Sequence, residues 1–101
     1  MEKNLLGIMV TKYEHLEHIT GVMQAAQAAG HPVRLFLTDD AVKFTLNTEF
    51  LNLLQYSGVE VSCCDHSCKQ HGVLEKSKGI TYSSQFSNAA MLHDSCRVLV
   101  F

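Results

Sequence analysis

Short apolar runs rich in β-branched residues alternate along the chain with longer segments of helical spacing, and this alternation limits the fold more than any other feature. The runs are Leu5–Val10, Val33–Leu37, Val59–Cys63, Ile80–Tyr82 and Arg97–Phe101. The first is continuously apolar, which is typical of a strand buried on both faces of a parallel sheet. Strands that alternate with helices imply βαβ units with right-handed crossovers. The sequence therefore predicts a mostly parallel, five-stranded sheet.

Helical segments connect these runs. The first is expected over Tyr13–Ala29, with Thr11 as its N-cap and Gly30 just beyond its end. Three more are expected over 48–56, over 66–71, and from Ser83 or Ser84 to about His93. Helices on both faces make a three-layer α/β/α fold, and five strands suit the flavodoxin-like order 2-1-3-4-5. We expect residues 1–101 to form one such domain.

The composition excludes several classes of protein. The chain has 101 residues, of which 47% are hydrophobic and 18% charged, so disorder is not expected. Its eight Lys and Arg residues are scattered and its formal net charge is −2, which predicts no nucleic-acid partner. The longest apolar run is far shorter than the ~20 residues of a membrane span, and the first residues lack a signal-peptide pattern. We expect a cytoplasmic protein.

Three of the four cysteines, Cys63, Cys64 and Cys68, fall within six residues. In a cytosolic protein such a cluster points to metal binding or thiol chemistry rather than to a disulfide framework. Cys64 ends the third strand, at the sheet edge where open α/β sheets bind ligands, and we expect it at a switch point between the first and third strands. The helix that follows favours its thiolate, whereas the neighbouring Asp65 opposes it. Cys68 comes one helical turn later and could approach Cys64, while Cys63 is expected to point into the sheet.

Two alternatives use the same cluster. Its four possible zinc ligands, in the pattern C-x-H-x-C-x-x-H, are Cys64, His66, Cys68 and His71. This run lacks the second, separated ligand pair of most closed zinc sites, so a metal-binding or interaction module is the alternative rather than the leading hypothesis. A dithiol redox protein that uses Cys64 and Cys68 is a further alternative. No glycine-rich phosphate loop is present, and the sequence indicates no cofactor.

Three segments resemble the DsrE/DsrF-like family, which includes sulfur-relay subunits. Arg34–Val42 is similar to its second strand and the turn after it, and Gly58–Cys64 to its third strand ending in the active cysteine. The interval from Cys64 to His71, Gly72 and Val73 is similar to the family's spacing from cysteine through a short helix to glycine. The resemblance extends from about residue 5 to residue 101.

The resemblance implies a flavodoxin-like fold and persulfide chemistry on Cys64, whose thiolate accepts a sulfane sulfur that an acceptor thiol later removes. His71 stands where the family commonly has a basic residue, and Cys68 stands where the sulfur-relay subunits have a small one. We therefore expect Cys68 to be a second or resolving thiol and His66 or His71 to be the proton partner. The leading hypothesis is a small cytoplasmic sulfur carrier of sulfurtransferase type.

The same resemblance implies sulfur donors and acceptors, either proteins or small thiols, and a homo-oligomer of two, three or six chains. The segment from Phe44 to Tyr56 is the expected contact surface. Phe44, Phe50, Leu54 and Tyr56 offer more apolar surface than one short helix easily buries.

Overall fold

Five parallel strands form one sheet in the computed structural model, which describes residues 4–101 except the side chains of Tyr56 and Ser57. The strands are β1 (Leu6–Val10), β2 (Val33–Leu37), β3 (Glu60–Cys64), β4 (Ile80–Ser83) and β5 (Arg97–Val100). Each neighbouring pair is parallel. The predicted parallel α/β fold class is confirmed.

The order of strands across the sheet is 4-3-2-1-5. The structure places β1 between β2 and β5, where the expected order 2-1-3-4-5 has β1 between β2 and β3. The steps from β1 to β2, β3 and β4 all run in one direction, so right-handed crossovers put their helices on the same face. The last crossover returns the other way and puts its helix on the opposite face.

The connections contain four α-helices and one 3₁₀ helix among the described residues. They are α1 (Leu16–Ala28), the 3₁₀ helix Asp39–Leu46, α2 (Thr48–Ser57), α3 (Asp65–Gln70) and α4 (Gln85–Asp94). α4 contacts β1 and β2 from one side of the sheet, and the others pack on the other side. No helix of residues 4–101 has both the length and the hydropathy to cross a bilayer.

Side-chain caps are present at the starts of α2 and α4, and the start of α1 differs from the prediction. α1 begins at Leu16 after His15, whose φ of 66° is in the left-handed region, so Thr11 is not its N-cap. The Thr11 hydroxyl instead donates to the carbonyl of Phe101 over 3.0 Å and ties the end of β1 to the chain terminus. Of the two predicted starts of α4, Ser83 and Ser84, the structure has Ser84 as the N-cap, since its hydroxyl accepts from the N–H of Phe86.

The main core lies between the sheet and the helices α1, α2 and α3. Phe44 and Phe50 are each only 2% exposed in it, with ring centroids 5.3 Å apart. Both rings are thus buried within the chain. The prediction that they belong to an exposed contact surface is wrong at these two positions. The part of that expectation that concerns Tyr56 lies outside the described side chains. A smaller cluster on the other face joins Phe36, Cys64 and Met91.

Candidate functional site

Cys64 lies at the junction of a strand and a helix. It is the last residue of β3 and also the N-cap of α3, with extended backbone at φ −77° and ψ 113°. Its side chain is 3% exposed and packs with Phe36 and Met91 under α4. The sulfur atom therefore stands at the carboxyl edge of the sheet, on the face that only α4 covers among the described helices.

A polar network meets beside this sulfur. Ser67, in the first turn of α3, is 5% exposed and accepts a hydrogen bond from the N–H of Asp39 over 2.9 Å. Thr38 Oγ1 lies 3.3 Å from Ser67 Oγ, and the Gln85 amide donates to Thr38 Oγ1 over 3.0 Å. Three chain segments, which follow β2, β3 and β4, thus come together at Cys64.

This network sets the ionisation of Cys64. Burial raises the pKa of the thiol, but the hydroxyl and N–H of Ser67, the amide of Gln85 and the N–H of His66 favour the thiolate, and the pKa is lowered on balance. The Cys64 side chain makes no cap hydrogen bond to α3. These donors lower the pKa of Cys64 because they favour the thiolate over the neutral thiol. A lowered thiol pKa in a cluster of donors is the usual mark of a reactive cysteine.

Cys68 does not face Cys64. Its Sγ lies 3.6 Å from Cys63 Sγ, and the two side chains are 2% and 0% exposed. Burial is the main cause that raises the pKa of both thiols. The expected approach of Cys68 to Cys64 is wrong because Cys64 is extended rather than helical, so a spacing of four residues does not put the two side chains on one face.

Neither candidate histidine has a side-chain contact with Cys64 among the described residues, where His71 pairs with aspartates. His66 is exposed, and it is the backbone N–H of this residue that favours the thiolate of Cys64. His71 Nε2 lies 3.1 Å from an oxygen of Asp39, and His71 Nδ1 lies 3.5 Å from an oxygen of Asp40. Within residues 4–101 no three His, Cys, Asp or Glu side chains are grouped as metal ligands. The structure does not assemble the four predicted zinc ligands.

The strand order shows that Cys64 does not lie at a switch point between the first and third strands. Because β2 separates β1 from β3, the loop after β1 is not beside Cys64. The direction of the crossovers reverses between β1 and β5, which is where a switch point lies in this sheet. Cys64 owes its position to the carboxyl end of β3 alone.

Three polar residues of the site, Thr38, Ser67 and Gln85, were missed by the sequence reasoning. Thr38 directly follows β2 and Gln85 opens α4 soon after β4, so the sheet-edge rule that selected Cys64 also applies to them. Ser67 could have been found from its place in the first turn after a helix-capping residue, where a side chain lies close to the N-cap.

Comparison with known proteins agrees with this architecture. The model of the DsrE/DsrF-like family matches residues 6–101. The chain therefore belongs to the DsrE/DsrF-like family. It is similar to the crystal structure of the ychN protein from E. coli, with a TM-score of 0.74 and 20% sequence identity over 99% of this chain and 100% of that one. At this identity the likeness supports the fold alone. None of the curated proteins matches the chain.

Proposed function

We propose that this protein is a small sulfur carrier of sulfurtransferase type, with Cys64 as the residue that holds the sulfur. Membership of the DsrE/DsrF-like family supports a function in sulfur relay in general. The observation that carries the specific assignment is the position of Cys64 at the carboxyl edge of the sheet, among donors that lower the pKa of its thiol.

The proposed cycle has two balanced steps. The Cys64 thiolate attacks the terminal sulfur of a donor persulfide, its S–S bond breaks, and the donor leaves as a thiolate. An acceptor thiolate then attacks the outer sulfur of the Cys64 persulfide, and Cys64 leaves as a thiolate. No net oxidation takes place. A low pKa supports both steps, since it raises the thiolate fraction for the first and makes Cys64 a better leaving group in the second.

Donors and acceptors of this carrier are proposed to be protein thiols or small thiols in the cytoplasm. All four cysteines are free in the structure, as persulfide exchange in a reducing compartment requires. A homo-oligomer is part of the same proposal, and light scattering at micromolar concentration tests it. In this proposal Cys64 alone carries sulfur, and Cys68 belongs to the core.

The test is intact-mass spectrometry after incubation with inorganic polysulfide. Cys96 is exposed and will react as well, so every protein carries Cys96→Ala. We expect the parent to gain one sulfur atom that is removed by a reducing thiol. Cys64→Ala is expected to gain none, and the matched control Cys68→Ala is expected to gain one. A Cys64→Ala protein that still accepts sulfur would overturn the assignment.

The zinc alternative has less support, because Cys68 contacts Cys63, His71 contacts Asp39, and no three potential ligands are grouped within residues 4–101. Elemental analysis of protein purified without added metal distinguishes the two functions. Near-stoichiometric zinc that is lost in Cys64→Ala would favour the metal site. Its absence together with sulfur loading on Cys64 would favour the carrier.

A further inference from the structure

The Ser67 hydroxyl accepts one hydrogen bond and lies beside a second hydroxyl. A hydroxyl offers one hydrogen and two lone pairs. Ser67 Oγ accepts from the N–H of Asp39 over 2.9 Å, which is possible because the chain turns there through a left-handed residue with φ 54°. Thr38 Oγ1 accepts from Gln85 and lies 3.3 Å from Ser67 Oγ, and either of these two hydroxyls can be the donor between them. With Thr38 as the donor, the hydrogen of Ser67 is left for Cys64, the N-cap of the same helix.

We propose that Ser67 is a catalytic residue whose hydroxyl donates a hydrogen bond to Cys64 Sγ when that sulfur is negatively charged, and that Thr38 is the residue that positions it. Its role in sulfur transfer rests on the proposed function. The geometry that supports it is the burial of Ser67 in the first turn of the helix that Cys64 caps, together with its bond from the N–H of Asp39 and its contact with Thr38. The lowered pKa of Cys64 agrees with such a donor.

This donor acts differently on the two halves of the cycle. Negative charge lies on Cys64 Sγ at the start of loading and returns to it at the end of discharge, when the S–S bond breaks and Sγ takes the electron pair. A hydrogen bond from Ser67 therefore stabilises the leaving thiolate in discharge. It also makes the free thiolate less basic and less nucleophilic in loading. A donor at Sγ thus predicts opposite effects of its loss on the two rates.

The first measurement is the pH dependence of Cys64 alkylation by iodoacetamide, in proteins that carry Cys96→Ala. Ser67→Ala removes the hydroxyl but keeps the backbone N–H. We expect the midpoint of its profile to rise by about one pH unit, a tenfold change in the acid dissociation constant. Ser67→Thr keeps a hydroxyl and is expected to restore the midpoint. Thr38→Val keeps the shape of Thr38 but loses its hydroxyl, and a smaller rise is expected.

The second measurement separates loading by polysulfide from discharge to glutathione, both above the alkylation midpoints of all variants. In Ser67→Ala we expect discharge to slow roughly threefold, for a Brønsted coefficient near one half, while loading is unchanged or faster. A merely structural role for Ser67 slows both steps together.

The proposal is overturned if the midpoint of Ser67→Ala equals that of the parent, or if loading and discharge fall equally. If Ser67→Ala does not fold, Thr38→Val decides, and an unchanged midpoint in that variant overturns the proposal. Failure of the proposed function looks different. A parent protein that takes no sulfur on Cys64 refutes the carrier, while the alkylation profiles still show whether Ser67 acts on the Cys64 thiolate.

Discussion

Two adjacent cysteines on β3 occupy opposite faces of the sheet and opposite chemical environments. Cys63 is completely buried on the side of α1, α2 and α3, with Cys68 Sγ 3.6 Å away. Cys64 is almost as buried on the side of α4, at 3% exposure. Burial raises the pKa of Cys63, yet the pKa of Cys64 is lowered.

The difference shows that burial alone does not decide whether a thiol is reactive. Cys63 lies within the length of the strand, where the backbone N–H groups are used in the sheet and its thiol lies beside that of Cys68. Cys64 lies at the strand end, where a new helix and the turn after β2 bring polar groups to the site. One step along the chain therefore moves a cysteine from an apolar core to a polar site.

The largest expected difference between the two sides is the rate of alkylation. In native Cys96→Ala protein at neutral pH, Cys64 is expected to react roughly 100-fold faster than Cys63 or Cys68, since its pKa is lowered while burial raises theirs and reduces their thiolate fractions. Peptide mass mapping over time gives the three rates. Equal alkylation rates for the three thiols would show that Cys64 is no more reactive than the two core cysteines, and would contradict its assignment as the site.

A second prediction concerns stability. Cys63→Ser puts a hydroxyl into the apolar core, and we expect it to lower the free energy of unfolding by about 1–3 kcal/mol. The matched change Cys64→Ser puts the same hydroxyl among the donors around the site, and a loss below about 1 kcal/mol is expected. Urea unfolding measures both, with Cys63→Ala as the control for volume. A greater loss for Cys64→Ser contradicts the assignment of the two faces.

Much of this contrast could be predicted from the sequence, because alternation along a strand is local. The pattern of Val59–Cys63 gives a strand, places Cys63 inward and leaves Cys64 at its end. The position of Cys68 could not be obtained in the same way. It depends on the backbone of Cys64, which is extended and caps a helix that begins at Asp65, so that Ser67 rather than Cys68 faces the site.

The order of the strands could not be predicted from the local sequence pattern either. Hydrophobic periodicity predicts strands and helices, but each crossover can add the next strand on either side of the sheet. The partners of Cys64 depend on that choice, because β2 lies beside β3 and brings Thr38 and Asp39 to Ser67. The residues that complete the site are therefore set by tertiary contacts, although each of them stands at a recognisable strand end.

The third prediction perturbs the α4 side alone. A Cβ on Gly7 in β1 would clash with Ser95 Oγ and lie 3.3 Å from Met91 Cγ. Either the Ser95 hydroxyl rotates and loses its bond to the Met91 carbonyl, or α4 shifts. Gly7→Ala is expected to cost about 1–2 kcal/mol of unfolding free energy and to change the alkylation rate of Cys64 but not that of Cys63.

Gly21→Ala is the matched control for this substitution. Gly21 lies on exposed α1 surface with no atom within 4 Å of an added Cβ, so stability is expected to be unchanged or to rise by up to ~1 kcal/mol. A Gly7→Ala protein as stable as the parent, with an unchanged Cys64 rate, would show that α4 does not determine the environment of Cys64.

The smallest effect is the dependence of stability on pH, and it has opposite signs for the two neighbours. The pKa of Cys63 is raised by folding, so above the ordinary thiol pKa the unfolded chain releases a proton that the folded chain keeps, and stability is lost as pH rises. The pKa of Cys64 is lowered, so its contribution to stability is complete above the ordinary thiol pKa and is lost as pH falls through the folded value.

Urea unfolding at about pH 7 and about pH 10, on either side of the ordinary thiol pKa, measures both signs. Between these two values the parent loses stability through Cys63 and gains it through Cys64, while the other titrating groups are common to all variants. Cys63→Ala is therefore expected to lose less stability than the parent on going to the higher pH, and Cys64→Ala is expected to lose more. If both variants change in the same direction, the two thiols share one environment, and the strand end does not confer the polarity that the carrier needs.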